Sequence, residues 1–295
     1  MHLSARAWLP AVLVIAAGAA AGCAPQESST STDASSSSAA SPAAGSCAKG
    51  QLATATKGKL TVGTDKPAYA PWFQDDDPAN GKGFESAVAY SVAKALGYGK
   101  DQVVWQTVPF NNSFAPGAKK FDFDINQVSI SDERKQAVDF SSGYYDVRQA
   151  VIALKSSPYA KAKSVADLKG AKLGAQVGTT SLDTVNEIIK PTQKPAVFQK
   201  NDFAKSALNN KQVDAIVVDL PTGFYITSAE VTDAKVVGQF AQASGTPEQF
   251  GLVLDRESTL TGCVTAAVDG LRKDGTLAAL EKQWLSEAVD APVLK

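Results

Sequence analysis

The stretch Lys59-Leu-Thr-Val-Gly63 is a short β-branched and apolar run that ends at glycine, a pattern typical of a buried β-strand. The same pattern recurs at residues 102–108, 121–130, 147–154 and 172–176. Helical patterns alternate with these strands, at residues 85–96, 132–138, 181–189, 202–209 and 258–285. The alternation predicts an α/β fold with a parallel or mixed sheet, and about 250 ordered residues favour two lobes over a single core.

The N-terminal segment has the pattern of an export signal. Residues 1–22 contain a basic start, an apolar run and small residues before Cys23. The sequence Ala20-Ala-Gly-Cys23 resembles a bacterial lipobox, in which the cysteine is lipidated and becomes the new N-terminus. We therefore predict a lipoprotein signal peptide at 1–22 and lipidation at Cys23; the alternative is an ordinary secretory signal followed by a free cysteine.

The segment that follows is dominated by small and polar residues. Residues 24–46 are almost entirely Ser, Ala, Thr, Pro and Gly, so they bury too little surface to offset chain entropy. We predict that residues 23–46 form a lipidated cysteine and a disordered tether. No later apolar run is long enough for a bilayer span of roughly 20 residues, so the mature protein is expected to be soluble.

Two cysteines remain for the folded region, Cys47 at its start and Cys263 near its end. An oxidising compartment favours a disulfide between them, which by the chain-entropy model stabilises a loop of about 215 residues by about 4 to 5 kcal/mol. Two buried free thiols are the alternative.

Composition excludes several kinds of site. The net charge of −1 gives no reason to expect nucleic acid or an anionic membrane surface as a partner. The single histidine is His2, inside the segment to be removed, so most catalytic triads and zinc sites are excluded. The run Asp75-Asp-Asp77 lacks the distal ligands of a calcium loop and is interpreted as a solvated turn. We predict no catalytic residue, no metal and no cofactor.

Three strand-to-helix junctions carry residues that suit a charged ligand, because ligands of α/β sheets bind beyond the carboxyl ends of the strands. Gly178-Thr-Thr180 either binds an anion through backbone N–H groups and a hydroxyl or merely caps a helix. Arg134, in the first turns of a predicted helix, is either a carboxylate clamp or an ordinary surface arginine. Asp219 ends an apolar strand and either holds an ammonium group or caps the next helix.

These segments together resemble the third family of bacterial extracellular solute-binding proteins, which bind polar amino acids. The resemblance covers residues 57–286 and rests on ten motifs in order. They are Gly58-Lys-Leu-Thr-Val-Gly-Thr-Asp65, Tyr69-Ala-Pro-Trp72, Gly83-Phe-Glu85, Val108-Pro-Phe110, Val128-Ser-Ile-Ser-Asp-Glu-Arg134, Val138-Asp-Phe-Ser141 with Tyr144-Tyr145, Ser164-Val-Ala-Asp-Leu-Lys-Gly170, Val177-Gly-Thr-Thr180, Val213-Asp-Ala215 and Lys273-Asp-Gly-Thr276.

The resemblance implies a two-lobed periplasmic-binding-protein type II fold, in which two α/β lobes are joined by two hinge crossings and the ligand cleft lies between them. The crossings are expected near residues 149–153 and 243–249. Lobe 1 would comprise residues 47–150 plus 247–295, and lobe 2 residues 151–246.

The resemblance also implies the ligand contacts. Arg134 would pair with the α-carboxylate, with help from Thr180 and Ser129, and Asp219 would take the α-ammonium. Tyr69, Phe110 and Trp72 would enclose the ligand side chain. The side-chain pocket departs from the family pattern at Asn126, Gln127 and Ala87. Asp65 and Glu85 either favour a cationic or amide-bearing ligand or make structural hydrogen bonds. The ten predicted ligand contacts are Tyr69, Trp72, Glu85, Phe110, Asn126, Gln127, Ser129, Arg134, Thr180 and Asp219.

The function implied is the substrate-binding component of an ABC importer, a monomer that closes on its ligand by hinge motion and docks on membrane permease subunits. It would lie outside the cytoplasm, anchored to the outer face of the cell membrane through Cys23. We expect no enzyme activity. The alternatives are an enzyme on the same fold, similar to cyclohexadienyl or arogenate dehydratases, and a ligand-sensing module.

Overall fold

The computed structural model describes residues 47–241, 247–285 and 291–295. The predicted signal peptide at 1–22, Cys23 and the tether to residue 46 lie outside these residues. Within the part of the chain that is described, no helix combines the length and the apolar character that a membrane crossing requires.

Eleven strands and seven α-helices make up the described fold. The strands are β1 (Leu60–Thr64), β2 (Val103–Thr107), β3 (Phe123–Asp124), β4 (Asp139–Val147), β5 (Gln149–Leu154), β6 (Leu173–Gln176), β7 (Ala196–Phe198), β8 (Ala215–Asp219), β9 (Ala234–Phe240), β10 (Glu248–Leu254) and β11 (Val293–Leu294). The helices are α1 (Phe84–Ala95), α2 (Phe110–Ser113), α3 (Thr180–Asp183), α4 (Asn201–Asn209), α5 (Leu220–Tyr225), α6 (Thr261–Lys273) and α7 (Thr276–Trp284). One π-helical segment, Thr184–Ile189, continues α3, and another, Ile226–Glu230, continues α5.

The strands form two mixed sheets, each the centre of one lobe, as the α/β and two-lobed predictions require. The first sheet has the order β2-β1-β3-β10-β4, in which β1 is parallel to β2 and β3 while β10 is antiparallel to β3 and β4. The second has the order β11-β9-β5-β8-β6-β7, in which β5 is antiparallel to both its neighbours.

Each lobe has its own apolar core. In lobe 1 the buried face of α1, with Phe84, Val88 and Val92, packs with the apolar residues of β1 and α6. This helix can begin where it does because Gly83 has a positive φ of 94° and because a Cβ there would lie 2.5 Å from the carbonyl oxygen of Trp72. The core of lobe 2 centres on the fully buried strands β5 and β8.

The chain crosses between the sheets at Arg148, which separates β4 from β5, and again between β9 and β10, where residues 242–246 are not described. Both positions lie near the predicted hinge crossings. The final strand β11 pairs with β9 in the second sheet, although the predicted division assigns residues 247–295 to lobe 1. The exact lobe boundaries therefore stay a proposal.

Several predicted elements differ from the structure. The strand predicted at 121–130 contains only β3 because Gln127 adopts a positive φ of 50° and turns the chain. The helix predicted at 132–138 is one 3₁₀ turn, Arg134–Gln136, since β4 begins at Asp139. The helix predicted at 258–285 divides into α6 and α7 at Gly275, whose φ is 82°.

The cysteines pair as predicted. A disulfide joins Cys47 to Cys263, which lies on α6, and the two are 216 residues apart in sequence. Both side chains belong to the core of lobe 1, so the bond ties the first described residue to that lobe.

Candidate functional site

A cavity of about 460 Å³ lies between the two lobes, at the ends of strands and the starts of helices. Its lining includes eight of the ten ligand-contacting residues that the sequence predicts. These are Tyr69, Phe110, Asn126, Gln127, Ser129, Arg134, Thr180 and Asp219. Asp65, Gln176, Thr179 and Asn201 complete the lining.

Arg134 is held in place by both lobes. Its guanidinium donates to the carbonyl oxygen of Ser129 at 2.6 Å and to that of Gly178, across the cleft, at 2.9 Å. The guanidinium carbon lies 4.4 Å from the ring centroid of Phe114, and burial lowers the pKa of the side chain. A side chain fixed by two bonds and an aromatic face is not an ordinary surface arginine, and its charge faces the cavity. Arg134 does not lie in the first turns of an α-helix as predicted, because the predicted helix is only a 3₁₀ turn.

The sequence left open whether the junction after β6 binds an anion or caps a helix. Each of its two threonines fits one of these roles. Thr179 caps α3, since its hydroxyl accepts from the backbone N–H of Leu182 at 3.2 Å. Thr180 is left to face the cleft, where its hydroxyl lies 3.3 Å from that of Ser129 in the other lobe. The Ser129 hydroxyl donates to Glu248 at 2.6 Å. The site therefore has two hydroxyls beside the arginine.

Asp219 is the last residue of β8 and precedes α5, but its side chain makes no capping hydrogen bond. Its carboxylate instead accepts from the amide of Gln149 at 2.8 Å. Burial, and to a lesser extent the Glu248 carboxylate, raises the pKa of Asp219 to about 7. An ammonium group placed against this carboxylate would compensate for the lost solvation.

Gln149 links the cavity residues to both crossings. It stands at the start of β5, and its amide nitrogen contacts Asp219, the Thr180 hydroxyl at 3.2 Å and the Glu248 carboxylate at 3.4 Å. Its amide oxygen accepts from the Ser181 hydroxyl at 2.6 Å. Because Glu248 begins β10, a strand that follows the second crossing, this network joins the two hinge strands to the predicted contacts of the ligand.

Two aromatic side chains border the cavity. Tyr69 donates to Asp202 on α4 of the other lobe at 3.2 Å, and burial raises its pKa. The ring of Phe110 packs edge-on against Phe114 with centroids 5.2 Å apart. Aromatic walls exclude water and so strengthen polar contacts inside the cleft.

Trp72 and Glu85 lie in the lobe 1 interior. Trp72 is fully buried among Phe84, Tyr145 and Phe250, and its indole N–H donates to Thr222 of the other lobe at 2.9 Å. It stabilises the contact between lobes without facing the cavity.

Glu85 is also fully buried and binds three donors: the Tyr144 hydroxyl, the backbone N–H of Gln127 at 2.7 Å and the Gln127 amide. Burial raises the pKa of Glu85 to about 7. Of its two proposed roles, the structure supports the structural hydrogen bonds. The carboxyl holds Gln127 in its left-handed conformation and so positions one wall residue of the cavity.

Four lining residues were not among the predicted contacts. Gln176 ends β6 and Asn201 begins α4, so the junction rule that located Arg134 and Asp219 could have found Gln176. Asn201 follows the three-residue strand β7, whose sequence has no clear strand pattern. Asp65 accepts backbone N–H bonds from Lys66 and Phe110 and also lines the cavity.

The arrangement suits a zwitterion. Arg134 with two hydroxyls can take a carboxylate, and Asp219 from the opposite lobe can take an ammonium group, so a ligand with both charges would hold the lobes together. Among the described residues, no cluster of three or more His, Cys, Asp or Glu side chains could hold a metal ion.

Comparison with known proteins gives a consistent result. The family model for bacterial extracellular solute-binding proteins, family 3, matches residues 60–287. A probable histidine-binding protein of Campylobacter jejuni is 30% identical over 76% of this chain and 84% of that protein. The L-cystine-binding protein TcyJ of Escherichia coli is 29% identical over 79% of this chain and 85% of that protein.

A solved structure of an ancestral arginine-binding protein bound to arginine superposes with a TM-score of 0.64 at 31% identity, covering 77% of this chain and 98% of that one.

Proposed function

Because this chain belongs to family 3 of the bacterial extracellular solute-binding proteins, we propose that it is the substrate-binding component of an ABC importer and captures a polar amino acid. The observation that carries the proposal is the cavity between the lobes, where Arg134 and Asp219 come from opposite lobes. Binding a zwitterion between them would stabilise the closed arrangement, and the closed lobes would dock on the permease.

The proposed ligand class has a cationic or amide-bearing side chain. Asp65, Asn126, Gln176 and Asn201 give the remainder of the cavity carboxylate and amide groups between the rings of Tyr69 and Phe110. The relatives named above are described as a probable histidine-binding protein, a cystine-binding protein and an arginine-binding protein, so the family accommodates several side chains. Arg134 and Asp219 would pair with the α-carboxylate and the α-ammonium of any amino acid. The other lining residues of the cavity therefore decide selectivity.

A thermal-shift screen of the purified protein against the twenty common amino acids tests the proposal. A ligand at 100 times its dissociation constant adds roughly 2.7 kcal/mol of stability, which is readily seen as a raised midpoint. We expect a strong shift with one class of polar amino acid and none with most apolar ones. If ligand-free, folded protein shows no shift with any amino acid, this function is wrong. Conversion of a bound compound into a product would favour the dehydratase alternative.

Affinity should depend on pH through Asp219. Its pKa of about 7 in the empty cleft means that the carboxyl is protonated at lower pH and must lose its proton to hold an ammonium group. Below pH 7 the dissociation constant should therefore rise by up to about tenfold per pH unit, and above pH 7 it should level off. Calorimetric titrations from pH 5 to 8 measure this. A constant affinity across that range would contradict the role of Asp219.

The free protein should show the opposite trend. For Asp219 and Glu85 the folded-state pKa lies above the unfolded value, so between about pH 4 and 7 the folded state binds more protons than the unfolded state. Their contribution to stability is therefore lost as pH rises through 7. Denaturation of the ligand-free protein at each pH separates this effect from that on binding.

We also propose an extracytoplasmic location with a lipid anchor at Cys23, supported by the signal and lipobox pattern. Replacement of the cysteine, Cys23→Ser, should release the protein from the membrane fraction, since the acyl chains alone would hold it there. Fractionation with detection of the protein measures this, and Ser28→Ala in the tether is the control. Equal membrane retention of the Cys23→Ser variant would contradict the anchor.

A further inference from the structure

A buried carboxyl lies behind the lobe 1 wall of the cavity. Strands β1 and β3 are parallel neighbours in which Gly63 pairs with Asp124, so their substituents project to the same side of the sheet. The Asp124 side chain lies over the glycine, since a Cβ on Gly63 would be 2.5 Å from its Oδ2. Gly63 is thus the residue that makes room for this carboxyl.

Asp124 lacks the partners that a buried carboxyl normally has. Its exposed fraction is 0%, and neither oxygen has a hydrogen-bond partner among the described residues. Two residues earlier, the buried carboxyl of Asp122 accepts from the backbone N–H groups of Ala55 and Thr61 at 2.7 and 2.6 Å. Because most buried polar groups in proteins are satisfied, the unsatisfied Asp124 requires an explanation beyond the fold.

The neighbours of Asp124 place it next to the cavity. Asp65 follows Gly63 by two residues and Asn126 follows Asp124 by two residues, and both line the cavity. The amide nitrogen of Asn126, a residue with only 6% exposure, also has no hydrogen-bond partner among the described residues. Lys119 is the cation that acts on Asp124, but its ammonium donates to the carbonyl oxygens of Asn112 and Ala115.

Charge balance then distinguishes between ligands. A zwitterion with a neutral side chain gives its carboxylate to Arg134 and its ammonium to Asp219. It brings no charge for Asp65 at the wall or Asp124 behind it. A cationic side chain supplies a second positive charge on this side of the cavity, where the low dielectric makes its attraction to carboxylates strong.

We propose that Asp124 is a specificity-determining residue, a second acid behind Asp65 that selects amino acids with a cationic side chain over neutral ones of the same shape. This inference rests on the proposed function and narrows its ligand class.

Binding of a cationic side chain should be coupled to the release of a proton from Asp124. Burial raises the pKa of Asp124 well above its usual range, and the Glu85 and Asp65 carboxylates raise it further, while Lys119 lowers it. Tyr144 lies near enough for Asp124 to raise its pKa as well. In the empty cleft Asp124 therefore holds its proton more tightly than an exposed carboxyl does. A cationic side chain bound beside it would favour the charged form, so binding would draw protons from this carboxyl to the solvent.

Arginine and citrulline test the proposal, because citrulline has nearly the same shape without the positive charge. The wild-type protein should bind arginine more tightly than citrulline. In Asp124→Asn the arginine dissociation constant should rise roughly tenfold or more while that of citrulline changes little, since only the charged ligand loses a partner. An unchanged ratio of the two constants overturns the proposal.

The substitution should change the stability of the free protein little, because it exchanges one buried polar group without hydrogen-bond partners for another of nearly the same shape. Asp122→Asn is the matched control, a buried acid of the same segment that the fold uses. It should lower the thermal midpoint and leave the ratio of the two dissociation constants unchanged. A fall in the midpoint for Asp124→Asn with no change in the ratio would assign Asp124 to stability alone.

Proton counting in the wild type does not depend on how the variants fold. Titrations at several pH values, each in two buffers of different ionisation enthalpy, give the protons released on binding. Asp219 contributes equally with both ligands, so arginine should release more protons than citrulline; equal release at every pH contradicts the proposal. If the protein binds a neutral amino acid but neither arginine nor lysine, this inference fails while the proposed function stands. If it binds no amino acid, the proposed function itself fails.

Discussion

Replacement of Arg134 by alanine should abolish measurable amino-acid binding, with a dissociation constant raised roughly a hundredfold or more. The ligand carboxylate would enter a buried cleft without its cation, and losing one partner of a buried charge pair commonly costs about 2–5 kcal/mol. The closed arrangement would also lose the bond from Arg134 to the carbonyl oxygen of Gly178, which crosses the cleft. Calorimetry at pH 8, where Asp219 is charged, isolates the effect of the arginine.

Two variants show whether the loss reflects the guanidinium or the charge alone. Arg134→Lys keeps the positive charge but cannot donate to the carbonyl oxygens of Ser129 and Gly178 in the same fork, so we expect an intermediate affinity. Arg256→Ala is the control: this exposed arginine donates to the carbonyl oxygen of Lys135. The amino-acid affinity of the Arg256→Ala variant should equal that of the wild type. If Arg134→Ala binds as the wild type does, the carboxylate site has been assigned to the wrong residue.

The sequence was informative wherever a strand ended at a junction. Arg134, Thr180 and Asp219 all follow strand-like segments, and each of them lines the cavity. The topology of α/β sheets brings such junctions to one edge, so their position in the cleft follows from local pattern alone. Their partners could not be inferred in this way. Glu248 and Gln149 meet only because the chain crosses between sheets twice, and no local spacing contains that information.

The direction in which a side chain points was the second feature that could not be predicted from the sequence. Trp72 belongs to the same motif as the cavity residue Tyr69, and Glu85 was a predicted contact, yet tertiary packing turns Trp72 towards Phe250 and Glu85 towards Tyr144. The strand β4 was missed for a related reason, because its sequence Asp139-Phe-Ser-Ser-Gly-Tyr-Tyr-Asp-Val147 is interrupted by small polar residues. Its pairing with β10 contains register shifts, one of them beside Gly143, which a regular alternation cannot predict.

The role of Asp124 shows what structure adds to such a pattern. In the sequence it is one acid within an apolar run, indistinguishable from Asp122. Only the hydrogen bonds separate the two, since Asp122 has backbone partners and Asp124 has none among the described residues. A group that the fold leaves unsatisfied beside a ligand cavity is where selectivity is expected.

Removal of the Cys47–Cys263 disulfide should lower the free energy of unfolding by about 5 kcal/mol, the second large effect that the structure predicts. The bond closes a loop of 216 residues, and the chain-entropy model gives this magnitude for a loop of that length. The double variant Cys47→Ala with Cys263→Ala avoids an unpaired thiol, and urea denaturation measures the change. Because the unfolded chain expands without the cross-link, the denaturant slope should also increase.

Ligand affinity should change little in the same variant, because both cysteines pack in the lobe 1 core and neither is among the cavity residues. The double variant would thus lose stability and keep its affinity, whereas Arg134→Ala would lose affinity.

The position of the bond also matters for the proposed anchor. A pull on the tether would enter the protein at Cys47 and pass through the disulfide to α6. Without the bond the pull would reach β1 directly, a strand whose end carries Asp65 to the cavity. An unchanged urea midpoint after complete loss of the disulfide would contradict this account.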